Sequence, residues 1–314
     1  MFDSQRSVNP GAPSIAAVGA DASDAGKETS MIMDEAKRED SPSARVVAFG
    51  NQKGGTGKST TCGAFAEGLR RRGYKVLVID LDPQGNLTLT MAGDSCYPST
   101  DTFLAKGLVT PDTDPSKWIQ KRSYADLIGA GEQNSGGGML MMREKEIATD
   151  TSEGCWRLDD ALECVRPFYD FILLDTPPNM GSLTVNALAA ADEVIIPCDM
   201  DIQSVKGFID FLGYIHGVQR RMNTRLAIAG VVLTKCRKGV ASDASIEARV
   251  REAAQGFGVR VFRSTIRATE VVNRAHSEGI GIYTAVERKA GSSRIDIDYE
   301  IVLEEYLGED GKHV

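Results

Sequence analysis

A glycine-rich segment with two lysines is the part of this sequence whose residue types and spacing could do chemistry. Residues 51–60 read Asn-Gln-Lys-Gly-Gly-Thr-Gly-Lys-Ser-Thr. A turn of this kind between a strand and a helix points consecutive backbone N–H groups at one place, which suits a polyphosphate. Lys58 would reach the β- and γ-phosphates of a nucleotide, and the Ser59 hydroxyl would bind Mg²⁺. The segment predicts a phosphate-binding loop, in a variant form because Gln52 occupies the place of the usual first glycine.

Two acidic segments follow apolar runs of strand type. Asp80 and Asp82 come after the run 76–79, and Asp175 comes after the run 171–174. Acids at the carboxyl ends of strands lie on the edge where open α/β sheets bind ligands. Turn formation alone would also explain them, since Asp-Pro and Gln-Gly are ordinary turn formers. The functional interpretation makes Asp82 the group that orients an attacking water and Asp175 a ligand of Mg²⁺, directly or through a water.

Lys53 is surplus to a site formed by one subunit, because Lys58 already serves the nucleotide. A lone loop lysine is often only a solvated charge. The segment Lys53-Gly-Gly-Thr-Gly-Lys-Ser, however, resembles the deviant Walker A signature of the ParA and MinD family. In that family the first lysine acts across a dimer that encloses ATP. The resemblance therefore implies that Lys53 reaches the phosphates of a nucleotide held by a facing subunit.

The resemblance extends over roughly residues 45–305 and implies a complete site with ATP and Mg²⁺ as cofactors. The segment Asp80-Leu-Asp82-Pro-Gln-Gly-Asn is similar to switch I of ParA, and Asp175 resembles the Walker B aspartate. By resemblance, Lys53, Lys58 and Asp82 act in catalysis. Ser59 and Asp175 are the implied metal ligands. The residues expected to contact the nucleotide are Lys53, Gly54, Gly55, Thr56, Gly57, Lys58, Ser59 and Thr60.

The predicted fold is α/β, because strands alternate with helical stretches from residue 45 onward. We expect a single P-loop NTPase domain of the deviant Walker A type over 45–308, with a mostly parallel twisted sheet and helices on both faces. Residues 1–44 are predicted to form a disordered acidic tail, and residues 309–314 are predicted to form a short C-terminal tail. Residues 92–151 are expected to be helices and loops near the site. Further predicted strands are 192–197, 225–234 and 259–264, with a closing strand at 279–283, and predicted helices are 156–166, 182–190, 204–221, 244–257 and 269–278.

Composition is typical of a globular protein. Of 314 residues, 42% are hydrophobic and 25% are charged. No apolar stretch approaches the roughly 18–20 residues that span a bilayer, and the first residues show no secretory signal pattern. Six cysteines without a Cys-x-x-Cys pair indicate reduced thiols. We therefore expect a cytoplasmic protein.

Basic residues are concentrated in one segment, although the net charge of the chain is −8. Residues 217–274 carry 12 basic and 4 acidic side chains, and local charge sets the attraction for phosphate. Many of these arginines could simply be solvated helix faces. Few aromatic residues interleave with them, so the prediction is sequence-independent contact with double-stranded DNA. The candidate DNA-binding residues, expected at strand ends and short loops, are Arg237, Lys238, Arg260, Arg263, Arg267 and Arg274.

Membrane attachment is the rival to DNA binding, since MinD-like relatives end in a basic amphipathic helix. Here residues 295–307 carry acids at their polar positions. An anionic membrane surface would repel such a helix. We therefore expect no membrane binding.

The leading functional hypothesis is a ParA-type ATPase for partitioning a plasmid, an integrated element or a chromosome. By resemblance, an ATP-dependent homodimer binds non-specific DNA on the nucleoid, and a ParB-like partner stimulates hydrolysis and release. Hydrolysis alone is expected to be slow, because no resident arginine finger is evident. The alternatives are an ATPase of the same fold that positions protein machinery, as MinD-type and polarity factors do, and an ATP-dependent metabolic ligase or reductase. An iron–sulphur reductase would need cysteines that meet across a dimer, and neither Cys96 nor Cys198 compels that arrangement.

Overall fold

The computed structural model describes residues 43–92, 114–130, 138–149, 154–288 and 293–308. These residues form one eight-stranded sheet with the order β3-β4-β2-β5-β1-β6-β7-β8. Neighbouring strands run parallel, except for the antiparallel pair β3 and β4. The strands are β1 (Arg45–Phe49), β2 (Val76–Asp80), β3 (Gln120–Lys121), β4 (Asp126–Ile128), β5 (Phe171–Asp175), β6 (Glu193–Asp199), β7 (Ala227–Cys236) and β8 (Val261–Arg267).

Helices cover both faces of the sheet, as expected for parallel strands joined by crossovers. In the described residues they are α1 (Lys58–Arg71), α2 (Asn86–Ala92), α3 (Gly138–Thr149), α4 (Arg157–Leu162), α5 (Ser182–Ala190), α6 (Ile202–Arg221), α7 (Ala241–Gly256), α8 (Val271–Glu278), α9 (Ile282–Arg288) and α10 (Ile295–Leu307).

The central strands divide the core into two layers. Side chains alternate along a strand, so Val46 and Ala48 of β1 join the cluster under α4 to α7, whereas Val47 and Phe49 join the cluster under α1 and α8 to α10. Strands β2 and β5 are buried along their whole length. Burial on both faces explains why these strands read as continuous apolar runs. Their carboxyl ends are therefore held rigidly at one edge of the sheet.

The predicted fold class is confirmed, and helix α5 matches the predicted range 182–190. Strands β6, β7 and β8 end two or three residues later than predicted, because the pairing continues into the polar residues at the binding edge. The described part of 92–151 contains the short strands β3 and β4 beside helix α3, where only helices and loops were predicted. The predictions for residues 1–42 and 309–314 lie outside the described residues.

The predicted closing strand at 279–283 is wrong. Gly279 has a φ of 62° and ends α8 in the left-handed conformation, and α9 begins at Ile282. The carboxylate of Glu67 on α1 accepts hydrogen bonds from the backbone N–H groups of Tyr283 and Thr284, both at 2.9 Å. A distant carboxylate thus caps this helix, which the local apolar pattern does not reveal.

Candidate nucleotide-binding site

The phosphate-binding loop joins the end of β1 to the start of α1 at Lys58. Gly55 and Gly57 have φ values of 76° and 88°, which favour glycine. Gly57 precedes α1 without a side-chain cap, so the first N–H groups of the helix are open to an anion. The loop opens on a cavity of about 610 Å³, which is large enough for a nucleotide. Local geometry therefore supports the predicted binding of phosphate.

Lys58 lies at the base of this cavity and is only 6% exposed. Its ammonium group donates a hydrogen bond to the backbone oxygen of Lys53 at 3.4 Å. Burial lowers the pKa of Lys58, and the negative charges of Asp175 and Asp82 oppose that effect. The arrangement places one buried cation between the loop and two carboxylates. A triphosphate bound there would be stabilised by the positive charge of Lys58.

Asp175 has the features of a metal ligand. It is fully buried. Among the residues that the structure describes, no donor meets both the distance and the angle of a hydrogen bond to either carboxylate oxygen. Burial raises the pKa of Asp175 well above its ordinary value, while the Ser59 hydroxyl and the Lys58 ammonium oppose that rise. A buried carboxylate without hydrogen bonds is costly unless another group satisfies it. Ser59 and Asp175 therefore fit the oxygen ligands that Mg²⁺ prefers.

Asp80 and Asp82 lie at the same edge, because Asp80 is aligned with Asp175 in the pairing of β2 and β5. Asp80 is fully buried and accepts hydrogen bonds from the backbone N–H and the hydroxyl of Thr88. Asp82 lines the cavity, where burial raises its pKa and the backbone N–H of Gln84 opposes the rise. Asp80 is thus structural, whereas Asp82 faces the space where a phosphate would lie.

Four further residues shape the loop and the cavity and were not predicted from the sequence. The Thr234 hydroxyl donates to the backbone oxygen of Thr56 at 2.7 Å, and the Lys235 ammonium donates to that of Gly55. Lys235 has a φ of 55°, a strained value for a lysine. On the opposite wall, Asn273 and His276 of α8 line the cavity. Thr234 and Lys235 follow an apolar run at the same edge as Asp82, a signal that could have found them.

Lys53 does not point into the cavity of its own subunit. Its ammonium nitrogen lies 3.3 Å from a carboxylate oxygen of Asp199 and 3.3 Å from one of Asp201. Its side chain is 23% exposed. The two signature lysines therefore separate: Lys58 stays with the phosphate-binding loop and Lys53 leans toward the start of α6.

The six candidate DNA-binding residues are not equivalent. Arg237 makes two hydrogen bonds to the carboxylate of Asp243, and Arg267 makes two to that of Asp298. These pairs largely neutralise both guanidinium groups. Lys238 is exposed in the turn after β7. The sequence count of positive charge therefore overstates the charge that this surface presents.

The other three arginines occupy different environments. Arg263 lies within β8, with a side chain that is 90% exposed and 3.7 Å from Glu305. Arg260 precedes β8, and its guanidinium lies over the ring of Phe262. Arg274 lies in helix α8 and donates to the backbone oxygen of Ala285 at 2.7 Å. The expected placement at strand ends and loops is thus wrong for Arg263 and Arg274, because β8 extends to residue 267 and α8 spans Arg274.

Comparison with known proteins identifies the family. Residues 44–228 match a family model described as an AAA domain. The chain is 31% identical over 250 residues to the sporulation initiation inhibitor protein Soj of Bacillus subtilis, covering 79% of this chain and 94% of Soj. It is 32% identical over 250 residues to the chromosome partitioning protein ParA of Caulobacter vibrioides, covering 79% and 90%. The chain belongs to the ParA/Soj family of ATPases.

The fold is shared more widely than the sequence. Cobyrinic acid a,c-diamide synthase from Mycobacterium smegmatis, solved with bound ADP and magnesium, superposes with a TM-score of 0.69 at 24% identity over 86% of this chain and 97% of that enzyme. At this identity the likeness shows the fold alone. The described helices include none that is both long and apolar enough to cross a membrane.

Proposed function

We propose that this ParA-family chain is a DNA-partitioning ATPase that dimerises around Mg²⁺ and ATP, binds DNA as a dimer and is released by hydrolysis. One observation carries the proposal. The loop, Lys58, Ser59 and Asp175 form a nucleotide site within one subunit, while the side chain of Lys53 points away from that site. A second lysine in the phosphate-binding loop whose side chain points away from the cavity of its own subunit is best explained by a phosphate that belongs to another subunit.

In the proposed reaction the loop residues 53–60 hold the triphosphate through their N–H groups, and Lys58 neutralises charge at its β- and γ-phosphates. Ser59 and Asp175 would hold Mg²⁺, which would withdraw charge from the phosphate oxygens. Asp82 orients the attacking water, since it lines the cavity and is only 7% exposed. Its pKa is raised by burial, so its carboxylate is a better proton acceptor than an exposed aspartate.

Lys53 completes the site from the facing subunit in this proposal. Its backbone lies in the loop, and its side chain is partly exposed at the edge where a second copy would approach. A cation supplied across the interface would bind the γ-phosphate of ATP and have nothing to bind in ADP. Dimerisation would therefore depend on the third phosphate.

Hydrolysis is proposed to be slow until a ParB-like activator binds. The described residues that line the cavity include no arginine, so the described part of one subunit offers no arginine finger. An activator would either supply such a charge or reposition Asp82. The cycle places the protein in the cytoplasm, on the nucleoid while it holds ATP and free of it afterwards.

Contact with DNA is proposed to use the basic segment from Arg237 to Arg274, by phosphate attraction alone. Among the six candidate residues, Lys238 and Arg263 present accessible charge, since Arg237 and Arg267 are each bound to an aspartate. Affinity should therefore fall steeply with salt. Replacing Lys238 and Arg263 together with glutamate should weaken binding, whereas the same change at exposed Lys117, beside the opposite sheet edge, should not.

A gel shift on arbitrary duplex DNA tests the proposal. With Mg²⁺ and ATP the wild-type chain should retard DNA, and with ADP it should not. Lys58→Ala should abolish the shift, and doubling the salt should weaken it strongly. Equal retardation with ADP, or none with ATP, would contradict the proposal. ATP turnover that responds to a metabolite and ignores DNA would instead favour a metabolic enzyme of the same fold.

A further inference from the structure

The side chain of Lys53 is held between two carboxylates of its own subunit. Asp199 ends β6 and Asp201 precedes α6, and each places an oxygen 3.3 Å from the Lys53 ammonium nitrogen. The Asp199 side chain is 13% exposed and that of Asp201 is 50% exposed. The hydrocarbon part of Lys53 runs beside Gly207, where a Cβ atom would lie 3.4 Å from the Cβ of Lys53. A lysine with two acids at hydrogen-bonding range has a defined position.

Both aspartates are themselves fixed by the first turn of α6. The Ser204 hydroxyl donates to Asp199, and the backbone N–H of Gln203 donates to Asp201 at 2.7 Å. The N–H of Gln203, and after it the Lys53 ammonium, lowers the pKa of Asp201. Since these bonds do not involve Lys53, each carboxylate is held by a partner other than the lysine. The pocket for the ammonium group is therefore built into the fold.

We propose that Asp199 and Asp201 are positioning residues that hold Lys53 inside its own subunit and so oppose dimerisation until ATP is bound by a facing subunit. The inference rests on the proposed function, in which Lys53 crosses the interface. One ammonium group cannot bind two fixed carboxylates and a distant phosphate at the same time. Each dimer contains two copies of Lys53, so two such ion-pair sites must open for it to close.

The balance of charge explains how ATP overcomes this hold. The two carboxylates carry two negative charges, whereas the triphosphate of ATP carries about four, partly neutralised by Mg²⁺ and Lys58. ADP lacks the γ-phosphate that lies nearest the interface in the proposed dimer. The two aspartates thus increase the difference between dimerisation with ATP and dimerisation with ADP. Without them, Lys53 would be free to cross at lower ATP concentration.

The test compares Asp199→Asn and Asp201→Asn with the wild-type chain. The dissociation constant of the dimer is measured by analytical ultracentrifugation with Mg²⁺ and a non-hydrolysable ATP analogue. Each change should tighten the dimer by about two- to thirtyfold, because a partly exposed ion pair opens twice per dimer. Asp201→Glu, which keeps the charge, should stay close to wild type. Asp210→Asn is the matched control, since Asp210 is an exposed acid on the same helix.

A second measurement, on the monomer, keeps the test independent of dimerisation. Acylation of Lys53 by an amine-reactive ester, followed by mass spectrometry, should be about twofold faster or more in Asp199→Asn and unchanged in Asp210→Asn. A dimer that is unchanged or weaker in both asparagine variants, or equal acylation of Lys53, would overturn the inference. A wild-type chain that stays monomeric would refute the proposed function instead, and the acylation would still show whether the aspartates hold Lys53.

Discussion

Replacing Asp80 with asparagine should make the stability of the nucleotide-free protein less dependent on pH. Asp80 is fully buried at the end of β2, and burial raises its pKa from 3.8 to about 7 against the opposing effect of its hydrogen bonds from Thr88. The negative charge of Asp82 adds to the rise. The folded protein therefore keeps a proton on Asp80 over a pH range in which the unfolded chain has lost it.

The sign and size of the effect follow from these two pKa values. Because the folded pKa is raised, the contribution of Asp80 to stability is fully present below pH 3.8 and is lost as the pH rises to about 7. The two pKa values differ by about 3, and each pKa unit corresponds to about 1.36 kcal/mol, so Asp80 contributes about 4 kcal/mol to the pH-dependent part of the unfolding free energy. About 3 kcal/mol of this loss falls between pH 5 and pH 8.

Urea unfolding at pH 5, 6, 7 and 8, without nucleotide or Mg²⁺, measures this loss directly. At pH 5 the variant should be less stable than wild type, since the single oxygen of asparagine cannot accept both from Thr88 and from the backbone N–H of Asp82, which bond to different oxygens of Asp80. The difference should shrink by about 3 kcal/mol as the pH rises to 8. Asp210→Asn is the control, because Asp210 is exposed. A difference between wild type and Asp80→Asn that does not vary with pH would refute the reasoning.

Three further predictions concern binding and stability. Lys58→Ala should weaken ATP binding at least about a hundredfold in calorimetry, because a buried ammonium is lost from the phosphates; unchanged affinity would contradict its role. Ser59→Ala should reduce the gain in ATP affinity that Mg²⁺ provides over EDTA by about tenfold, and an equal gain would remove Ser59 from the metal site. Glu67→Ala should lower the unfolding free energy by about 3 kcal/mol, because it leaves the N–H groups of Tyr283 and Thr284 without an acceptor. A loss below about 1 kcal/mol would show that water replaces the carboxylate.

The loop and its acids could be predicted from the sequence because each follows an apolar run and lies within a short turn. Lys58, Asp82 and Asp175 all reach the same edge of the sheet once the strands run parallel. In a parallel sheet, each apolar strand that is followed by a polar turn brings that turn to the same edge, so the turns together form one site. For these residues, local sequence and tertiary position carry the same information.

The partners of Lys53 and Glu67 could not be predicted in the same way. Asp199 lies 146 residues after Lys53, and Tyr283 lies 216 residues after Glu67. Nothing in either local segment specifies the other. Contacts of this kind depend on how helices α1, α6 and α9 pack on the sheet, which no local pattern encodes.

The basic segment shows a second limit of sequence reasoning. A count of charges treats Arg267 as free, yet its guanidinium is bound by Asp298 of α10, 31 residues later. Arg237 is likewise bound by Asp243 in the first turn of α7. Only pairing in space shows which charges remain available to phosphate. The expectation of DNA binding therefore depends on fewer residues than the sequence suggests.

The mass of the Asp82→Ala variant in saturating Mg²⁺ and ATP tests the central claim most directly, since that variant should bind ATP without consuming it. Light scattering after gel filtration should give twice the 33.8 kDa of the chain with ATP and the single-chain mass with ADP. Adding Lys53→Ala to the same variant should return it to the single-chain mass with ATP. A variant that stays monomeric in ATP, or a double variant that still dimerises, would contradict a dimer closed by Lys53.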